Sequence, residues 1–310
     1  MTTLIESTDA SPRPDSRPVG RKRLSQDRGL IVLALPSIIW YGIWTIGPLI
    51  AMFCIAFLSW RGFNATPKFA GMDNFTRMLS DPQMAAAFIN TGIHLVATMP
   101  LMMIASFMLG YFLSLRLPGH RVLRIIMFIP ALISISALGM MFIAVLGPVG
   151  MVNSLLEGLG LADLSRAWLQ DPQTALLSII VITIWSGTGF NAILLAARLA
   201  SIDDEIYAAA ELDGAGDWQK MWRIAFPIAM DYFGVLTMLQ YLWNLFGSAG
   251  LILILTRGGP GDSTVTLSWL VYRWGGTGAD VGYSQAIGIL LFILGIGGLL
   301  LIRRVFRARY

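Results

Sequence analysis

The sequence predicts an all-α polytopic membrane protein with six transmembrane helices, on three observations. Of its 310 residues, 56% are hydrophobic and only 13% are charged, whereas an average soluble domain has roughly 25% charged residues. The charges lie between long apolar runs, and six of these runs reach the about 20 residues that a helix needs to cross a bilayer. No run shows the alternation over about 10 residues that is typical of membrane β-strands. Lipid therefore favours helices, which satisfy their backbone hydrogen bonds internally.

The apolar runs give the positions of the six spans. They cover approximately residues 29–60, 91–115, 122–146, 174–197, 227–255 and 283–305. The first and fifth are longer than a perpendicular helix requires, so we expect tilt, a kink at Pro36 or Pro48, or a partly interfacial stretch. The spans form one domain at 29–305, between a basic, disordered cytoplasmic tail at 1–28 and a short tail at 306–310.

Basic residues are distributed unequally between the two sides of these spans. Sixteen of the 22 Lys and Arg fall in the tails, the loop between the second and third spans, and the loop between the fourth and fifth. The positive-inside rule then places both termini and residues 200–227 in the cytoplasm. This bias explains the net charge of +4 as membrane topology, so no nucleic-acid partner is expected.

A polar, charge-rich segment separates the fourth and fifth spans. This polar island is Tyr207–Pro227. The Asp-Gly pair that ends at Gly214 is a turn or C-cap signal. We therefore expect two short helices, 202–212 and 218–225, with Asp217 as the N-cap of the second. The apolar residues that share one face of that second helix are Trp218, Met221, Trp222 and Ala225.

Two interpretations of the polar island are open from its pattern. It is either an interfacial helix whose tryptophans anchor at the lipid headgroups, or a docking site for another protein on the cytoplasmic side. A chain this apolar has little reason to keep such a segment unless something outside the membrane contacts it. The polar island is therefore the main indication of function.

Residues 208–215 and 224–227 resemble the cytoplasmic signature of a known family. Integral-membrane subunits of binding-protein-dependent ABC importers carry Glu-Ala-Ala-x-x-Asp-Gly-Ala and then Ile-x-x-Pro. This chain reads Ala-Ala-Ala-Glu-Leu-Asp-Gly-Ala and then Ile-Ala-Phe-Pro. Residues 256–264 read Thr-Arg-Gly-Gly-Pro-Gly-Asp-Ser-Thr, with Tyr272 after them, which is similar to a segment of the sugar-importer branch. The chain thus resembles permeases of the maltose and glycerol-3-phosphate type over residues 29–304.

The resemblance implies the type I ABC importer permease fold, with a cytoplasmic coupling helix in the loop 200–227. In such importers this helix sits in a cleft of an ATPase, and closure of the ATPase dimer switches a central membrane cavity from inward-facing to outward-facing. The residues that match the signature or flank its turn are Ala209, Ala210, Glu211, Asp213, Gly214, Ala215, Trp218, Ile224 and Pro227.

One position departs from the signature. Ala208 stands where the family has a glutamate that is thought to pair with a basic residue of the ATPase. We hypothesise that Glu211, one turn further along, substitutes for it. Unchanged coupled transport in Glu211→Ala, alongside its loss in Asp213→Ala or in a bulky Gly214 variant, would contradict this.

The resemblance also implies a set of partners. These are a second permease subunit, usually a different chain, a cytoplasmic ATPase dimer that holds ATP and Mg²⁺, and an extracytoplasmic solute-binding protein that delivers a sugar. The chain itself is expected to hold no cofactor or metal and to catalyse no reaction, in the inner (plasma) membrane of a prokaryote. In agreement, the sequence contains no Gly-Lys pair and hence no phosphate-binding loop of the P-loop type.

Neutral polar and aromatic side chains cluster in the fourth and fifth spans and suit the hydroxyls and ring faces of a sugar. These substrate-pathway candidates are Trp185, Thr188, Asn191, Gln240, Trp243 and Asn244. Gln240 and Asn244 share a helix face, being four residues apart. Polar groups at membrane depth face the bundle or a cavity, so hydrogen bonding between helices is an equally open interpretation.

Three isolated features receive structural interpretations. The single cysteine, Cys54, excludes an intrachain disulfide. His94 is expected to form a hydrogen bond between helices rather than to relay protons, and Gly187 and Gly189 are expected to allow close helix packing or a kink. The alternative function, an ion-coupled secondary transporter without an ATPase, predicts mid-span acids or an inverted repeat, and an intramembrane enzyme predicts a catalytic set within the spans. Neither pattern is evident.

Overall fold

A computed structural model describes residues 33–62 and 64–306 of the chain. The predicted tail at 1–28 lies outside the described residues, as does all of the predicted tail at 306–310 except its first residue. The chain divides into two compact units, Met1–Ala51 and Met52–Tyr310. The described part of the first unit is helical and contributes to α1 (Leu33–Ile55), which includes a π-helical turn at Gly42–Ile46.

The second unit is almost entirely helical. A short antiparallel hairpin, β1 (Leu58–Ser59) and β2 (Lys68–Phe69), follows α1 and pairs Leu58 with Phe69. The helices are α2 (Asp73–Ser80), α3 (Pro82–Ser114), α4 (His120–Leu132), α5 (Ile135–Val145), α6 (Met151–Gly158), α7 (Ala175–Leu199), α8 (Asp204–Leu212), α9 (Asp217–Leu255), α10 (Leu267–Val271) and α11 (Val281–Val305). A 3-10 turn at Ala162–Leu164 precedes α7, and a π-helical turn at Tyr272–Gly276 follows α10.

Five of the described helices are long and apolar enough to cross a membrane, namely α1, α3, α7, α9 and α11. The third predicted span, 122–146, is formed by two helices, because α4 and α5 meet there at an angle of 99°, and it is a sixth candidate span if the bent pair is taken as one. The backbone is extended at Ile133, and the Ser134 hydroxyl accepts from the backbone N–H of Ala137 to cap α5. A serine cap after the Pro130 turn ends one helix and starts another.

Two spans begin earlier than predicted. The Asp81 carboxylate accepts from the Gln83 N–H at 3.0 Å, and Pro82 occupies the first helical turn of α3, so the helix starts nine residues before the apolar run. The second short helix of the polar island is likewise not separate from the fifth span, because α9 runs without a break from Asp217 to Leu255. A π-helical turn at Met221–Ala225 ends one residue before Phe226-Pro227, where the proline ring lacks the N–H that a regular helix would require.

Small residues bring the central helices together. A Cβ atom on Gly110 of α3 would lie 2.9 Å from the Ala192 carbonyl oxygen of α7, and one on Gly189 would lie 1.8 Å from the Met127 carbonyl oxygen of α4. A Cβ on Gly187 would meet the Met102 sulfur at 2.6 Å. The prediction of close packing at Gly187 and Gly189 is therefore confirmed, as expected where apolar helices associate through backbone proximity.

Candidate functional site

The polar island forms a helix, a tight turn and the start of a second helix. Helix α8 ends at Leu212, and Gly214 adopts a left-handed conformation with φ of +80°. The Gly214 N–H donates to the Glu211 carbonyl at 3.0 Å, and the Ala215 N–H donates to the Ala210 carbonyl at 2.9 Å. These two bonds form a Schellman cap, in which glycine tolerates the left-handed backbone. The predicted break at Gly214 is confirmed.

The predicted N-cap of the second helix is wrong. Gly216, with extended backbone, precedes α9, and its N–H donates to the Gln219 side-chain oxygen at 3.3 Å. Asp217 instead occupies the first turn of α9, where a carboxylate is favoured by the helix dipole. Its side chain is thereby directed to an ion pair rather than to a cap.

Lys220 joins the two helices of the polar island. Its Nζ lies 2.7 Å from Glu211 Oε1 and 2.8 Å from Asp217 Oδ1. The lysine side chain is only 9% exposed, whereas the two acids are 63% and 68% exposed. The hydrogen bonds to Asp217 and Glu211 raise the pKa of Lys220 above its ordinary value, and the two ion pairs link the end of α8 to the first turn of α9.

The outer surface of the turn combines exposed acidic and apolar groups. Ala209, Glu211, Asp213, Gly214 and Pro227 are exposed, Ala215 and Ile224 are half-buried, and Ala210 is buried. Met221 and Ala225 are buried as their shared face predicts, but Trp218 is 62% exposed, with its ring edge-to-face on that of Trp222. Trp222 packs in the bundle, with its ring 5.4 Å from that of Phe107.

Sequence reasoning missed three features of this site. Leu212, which is 90% exposed beside the turn, matches a variable position of the signature and gave no signal. Lys220 was counted only as a basic residue, although its spacing of three from Asp217 was a usable signal. A cavity of about 640 Å³ behind the island is lined by Tyr111 and Tyr207, and neither hydroxyl has a hydrogen-bond partner among the described residues. Burial raises the pKa of Tyr207 to about 12.

Only half of the substrate-pathway candidates lie together. Gln240 Nε2 donates to Asn191 Oδ1 at 3.1 Å, and Asn244 Nδ2 donates to the Gln240 carbonyl at 2.8 Å. Asn191 and Asn244 are 0% and 3% exposed, so these three amides link α7 to α9 inside the bundle. This geometry is the helix-to-helix hydrogen bonding that the sequence left as an alternative.

The other three candidates form no hydrogen bond with these amides within the described part of the chain. The Thr188 hydroxyl donates to the Ile184 carbonyl of its own helix. Trp185 and Trp243 are 44% and 75% exposed in the single chain, and Trp185 packs edge-to-face on Phe142 of α5 at 5.5 Å. The sequence placed these residues in the correct helices but not on one shared surface.

His94 of α3 lies beside Asn244 of α9, so a hydrogen bond between helices at this position stays a prediction. The residue is 2% exposed in α3 beside Asn244. Neither ring nitrogen has a hydrogen-bond partner among the described residues. The Asn244 Nδ2 donates to the Gln240 carbonyl and, at 3.7 Å, to the Met99 sulfur, and the Asn244 Oδ1 remains available to accept from the ring.

The geometry of the polar island agrees with comparison to known proteins. Residues 102–309 match the family described as "Binding-protein-dependent transport system inner membrane component". The chain belongs to this family. The matched region of this permease contains α7, the whole polar island, α9 and α11. It is an ABC transporter permease with several candidate membrane-spanning helices.

Individual relatives extend the likeness over most of the permease. It is 31% identical over 245 residues to the probable ABC transporter permease protein YurN of Bacillus subtilis, covering 77% of this chain and 83% of the relative. It is 29% identical to the diacetylchitobiose uptake system permease protein NgcF of Streptomyces coelicolor, covering 93% and 87%. A chain in the crystal structure of a bacterial ABC transporter involved in alginate import matches with a TM-score of 0.79 at 25% identity, covering 92% and 97%. The predicted ABC-importer permease fold is confirmed.

Proposed function

We propose that this permease forms half of a membrane pathway for a carbohydrate, driven by a separate cytoplasmic ATPase. An extracytoplasmic binding protein delivers the solute, a second permease completes the pathway, and both termini lie in the cytoplasm. ATP and Mg²⁺ bind to the ATPase, and this chain catalyses no reaction. One similar protein is named for the uptake of diacetylchitobiose and another for the import of alginate. Both compounds are carbohydrates, which supports an oligosaccharide as the solute.

One observation supports the coupling role most directly. The turn at Asp213–Gly214 is exposed, and contacts on both sides of it restrict its conformation. The Schellman bonds fix its backbone, and Lys220 ties α8 to α9. An interfacial anchor would place both tryptophans at the headgroups, but Trp222 packs against Phe107 within the bundle. A rigid turn with exposed small residues, flanked by Leu212 and Trp218, suits insertion into a cleft of another protein.

The same geometry supplies a path for force. Helix α9 is continuous over 39 residues from the polar island to Leu255, a length of about 58 Å. Because Lys220 joins α8 to the first turn of α9, a push on the turn displaces α9 along with it. Gln240 bonds Asn191 part-way along this helix, so the displacement reaches the α7–α9 contact. The amide cluster is thus placed to change when the ATPase closes.

The experiment compares Gly214→Val with Gly214→Asn in the complete transporter, reconstituted with its ATPase and binding protein. Asparagine tolerates a left-handed backbone and a β-branched valine does not, and no neighbour lies within 4 Å of a Cβ at this position. We expect Gly214→Val to lose at least about tenfold in solute-stimulated ATP hydrolysis and uptake, and Gly214→Asn to keep most of both. Wild-type activity in an assembled Gly214→Val complex contradicts the coupling role.

Two further variants distinguish direct contact from support. Asp213→Ala removes an exposed carboxylate without touching Lys220, so a loss there indicates contact with the ATPase. Lys220→Met releases Glu211 and Asp217 together, and we expect transport per ATP hydrolysed to fall while the complex still assembles. Uptake by the purified chain alone, driven by an ion gradient, would contradict the proposed function.

A further inference from the structure

We propose that the beginning of α4 binds the phosphate headgroup of an anionic phospholipid. Arg116, Arg121 and Arg124 line a cavity of about 400 Å³ that also includes His120. Guanidinium groups bind phosphate oxygens through paired, charge-assisted hydrogen bonds. Three of them around one cavity provide a site for a phosphate-bearing group.

These arginines are free to bind an anion. No carboxylate of the described residues lies within 4.0 Å of Arg116, Arg121 or Arg124, whereas Arg77 and Lys220 are ion-paired within the chain. The Nδ1 of His120 lies 2.9 Å from the Leu117 carbonyl oxygen. His120 therefore lines the cavity without contributing a negative charge. Asp203 and Asp204 line the adjoining cavity with Arg116, so Arg121 and Arg124 are the two cations of the site that are separated from carboxylates.

The depth of the cavity corresponds to lipid headgroups. Its inner wall includes Ser114, the last residue of α3, and Ala200, which follows the last residue of α7. Both helices are long and apolar enough to cross a membrane. The cavity therefore lies where two spans end, which is the level of the headgroup region.

An apolar helix face continues from the cavity. Val122, Ile125, Ile126 and Ile129 of α4 are each at least 50% exposed, and their spacing places them on one side of the helix. Arg121 is four residues before Ile125 and flanks this side. A cation cluster that adjoins an apolar strip complements an amphiphile, whose phosphate and acyl chain would occupy one part each. A free phosphate or an acidic protein surface would leave the strip uncovered.

The site also adjoins the polar island. Ser114, Arg116 and Ala200 line both this cavity and the cavity behind Tyr207 and Lys220. A bound headgroup therefore contacts residues that also line the cavity behind the turn at Asp213–Gly214. This position makes the ATPase activity of the assembled transporter a second readout of lipid binding.

Native mass spectrometry of the complete transporter in detergent tests the proposal. Phosphatidylglycerol, phosphatidylcholine and inorganic phosphate are added separately to the wild type, to the double variant R121Q/R124Q and to the control R303Q/R304Q. The control removes two exposed arginines from the last turn of α11, which do not line the cavity. We expect retention of phosphatidylglycerol only, with affinity at least about tenfold lower in R121Q/R124Q and changed less than about twofold in the control.

Several outcomes would overturn the proposal. Equal retention of phosphatidylcholine would show that the arginines do not select an anionic headgroup. Displacement of phosphatidylglycerol by millimolar inorganic phosphate would show a site for free phosphate. Equal losses in the two double variants would show a non-specific charge effect, and release of the ATPase from R121Q/R124Q in lipid-free detergent would show a protein interface.

Discussion

The two ends of the helical bundle in the second unit are held by different kinds of polar contact. At the end where α3 begins, contacts join distant parts of the chain, since Arg77 pairs with Asp280 at 2.7 Å and the Tyr283 hydroxyl donates to Asp81 at 2.8 Å. At the end where α3 finishes, the ion pairs are local and link Lys220 to acids three and nine residues away. Helix α3 spans about 50 Å between them.

This difference separates a locked end from an open end. Contacts between residues far apart in sequence fix α2, α3 and α11 relative to one another, whereas local pairs fix only the shape of the polar island. Among the described residues, the arginines around α4 form no ion pair, and the hydroxyls of Tyr111 and Tyr207 at this open end have no hydrogen-bond partner. Buried indole N–H groups of the locked end, those of Trp60 and Trp274, also lack partners among the described residues, so the two ends differ in their ion pairs and in the arginine cluster rather than in unsatisfied donors.

The largest expected effect comes from breaking the locked end at Arg77. Its guanidinium pairs with Asp280 and lies 3.9 Å from the Tyr283 ring centroid. Because the Asp280 side chain is only 5% exposed, Arg77→Gln leaves a buried carboxylate without its main partner, and we expect a loss of about 3 kcal/mol in stability. Thermal unfolding in detergent measures it.

A matched control uses the other cation on the same carboxylate. Arg61 Nε lies 3.7 Å from Asp280 Oδ2 but its side chain is 75% exposed, so Arg61→Gln should cost less than about 0.5 kcal/mol. Equal shifts in melting temperature for the two variants would show that the locked end does not depend on burial of this pair.

An intermediate effect is expected from a glycine at each end. A Cβ on Gly282 would lie 1.8 Å from the Leu58 carbonyl oxygen, whereas one on Gly214 meets nothing within 4 Å. Gly282→Ala must separate α11 from β1 and should cost about 2 kcal/mol. Gly214→Ala strains only its own left-handed backbone and should cost about 1 kcal/mol.

The two glycine variants should also differ in which property they change, stability or coupling. Gly282→Ala should lower the melting temperature with coupling per folded molecule unchanged. Gly214→Ala should lower solute-stimulated ATP hydrolysis more than it lowers stability. The reverse pattern would contradict the division into a locked and an open end.

The smallest effect is expected from removing one tyrosine hydroxyl at each end. Tyr283→Phe deletes the donor to Asp81 and should cost about 1 kcal/mol. Tyr207→Phe deletes a hydroxyl that has no partner among the described residues, so stability of the isolated permease should be unchanged or slightly raised. A cost for Tyr207→Phe equal to that for Tyr283→Phe would show that its hydroxyl is satisfied by bound water.

Local signals in the sequence predicted much of the fold and part of the site. The apolar runs identified the spans, and Asp-Gly at 213–214 marked the turn. The bend between α4 and α5 was not predicted, because Pro130 and Ser134 lie in an apolar run whose hydropathy does not change at the break. The partner of Lys220 nine residues away was missed, because it depends on how the turn folds.

The sequence by itself determined the membrane class, the polar island and the family resemblance, since each depends on composition, periodicity or short motifs. Only the tertiary structure decided which side chains meet. It paired Asn191 with Gln240 and placed His94 beside Asn244, although all four are polar residues in apolar helices. The physical reason is that helix rotation and crossing are set by close packing at positions such as Gly110 and Gly189, and hydropathy carries no information about either.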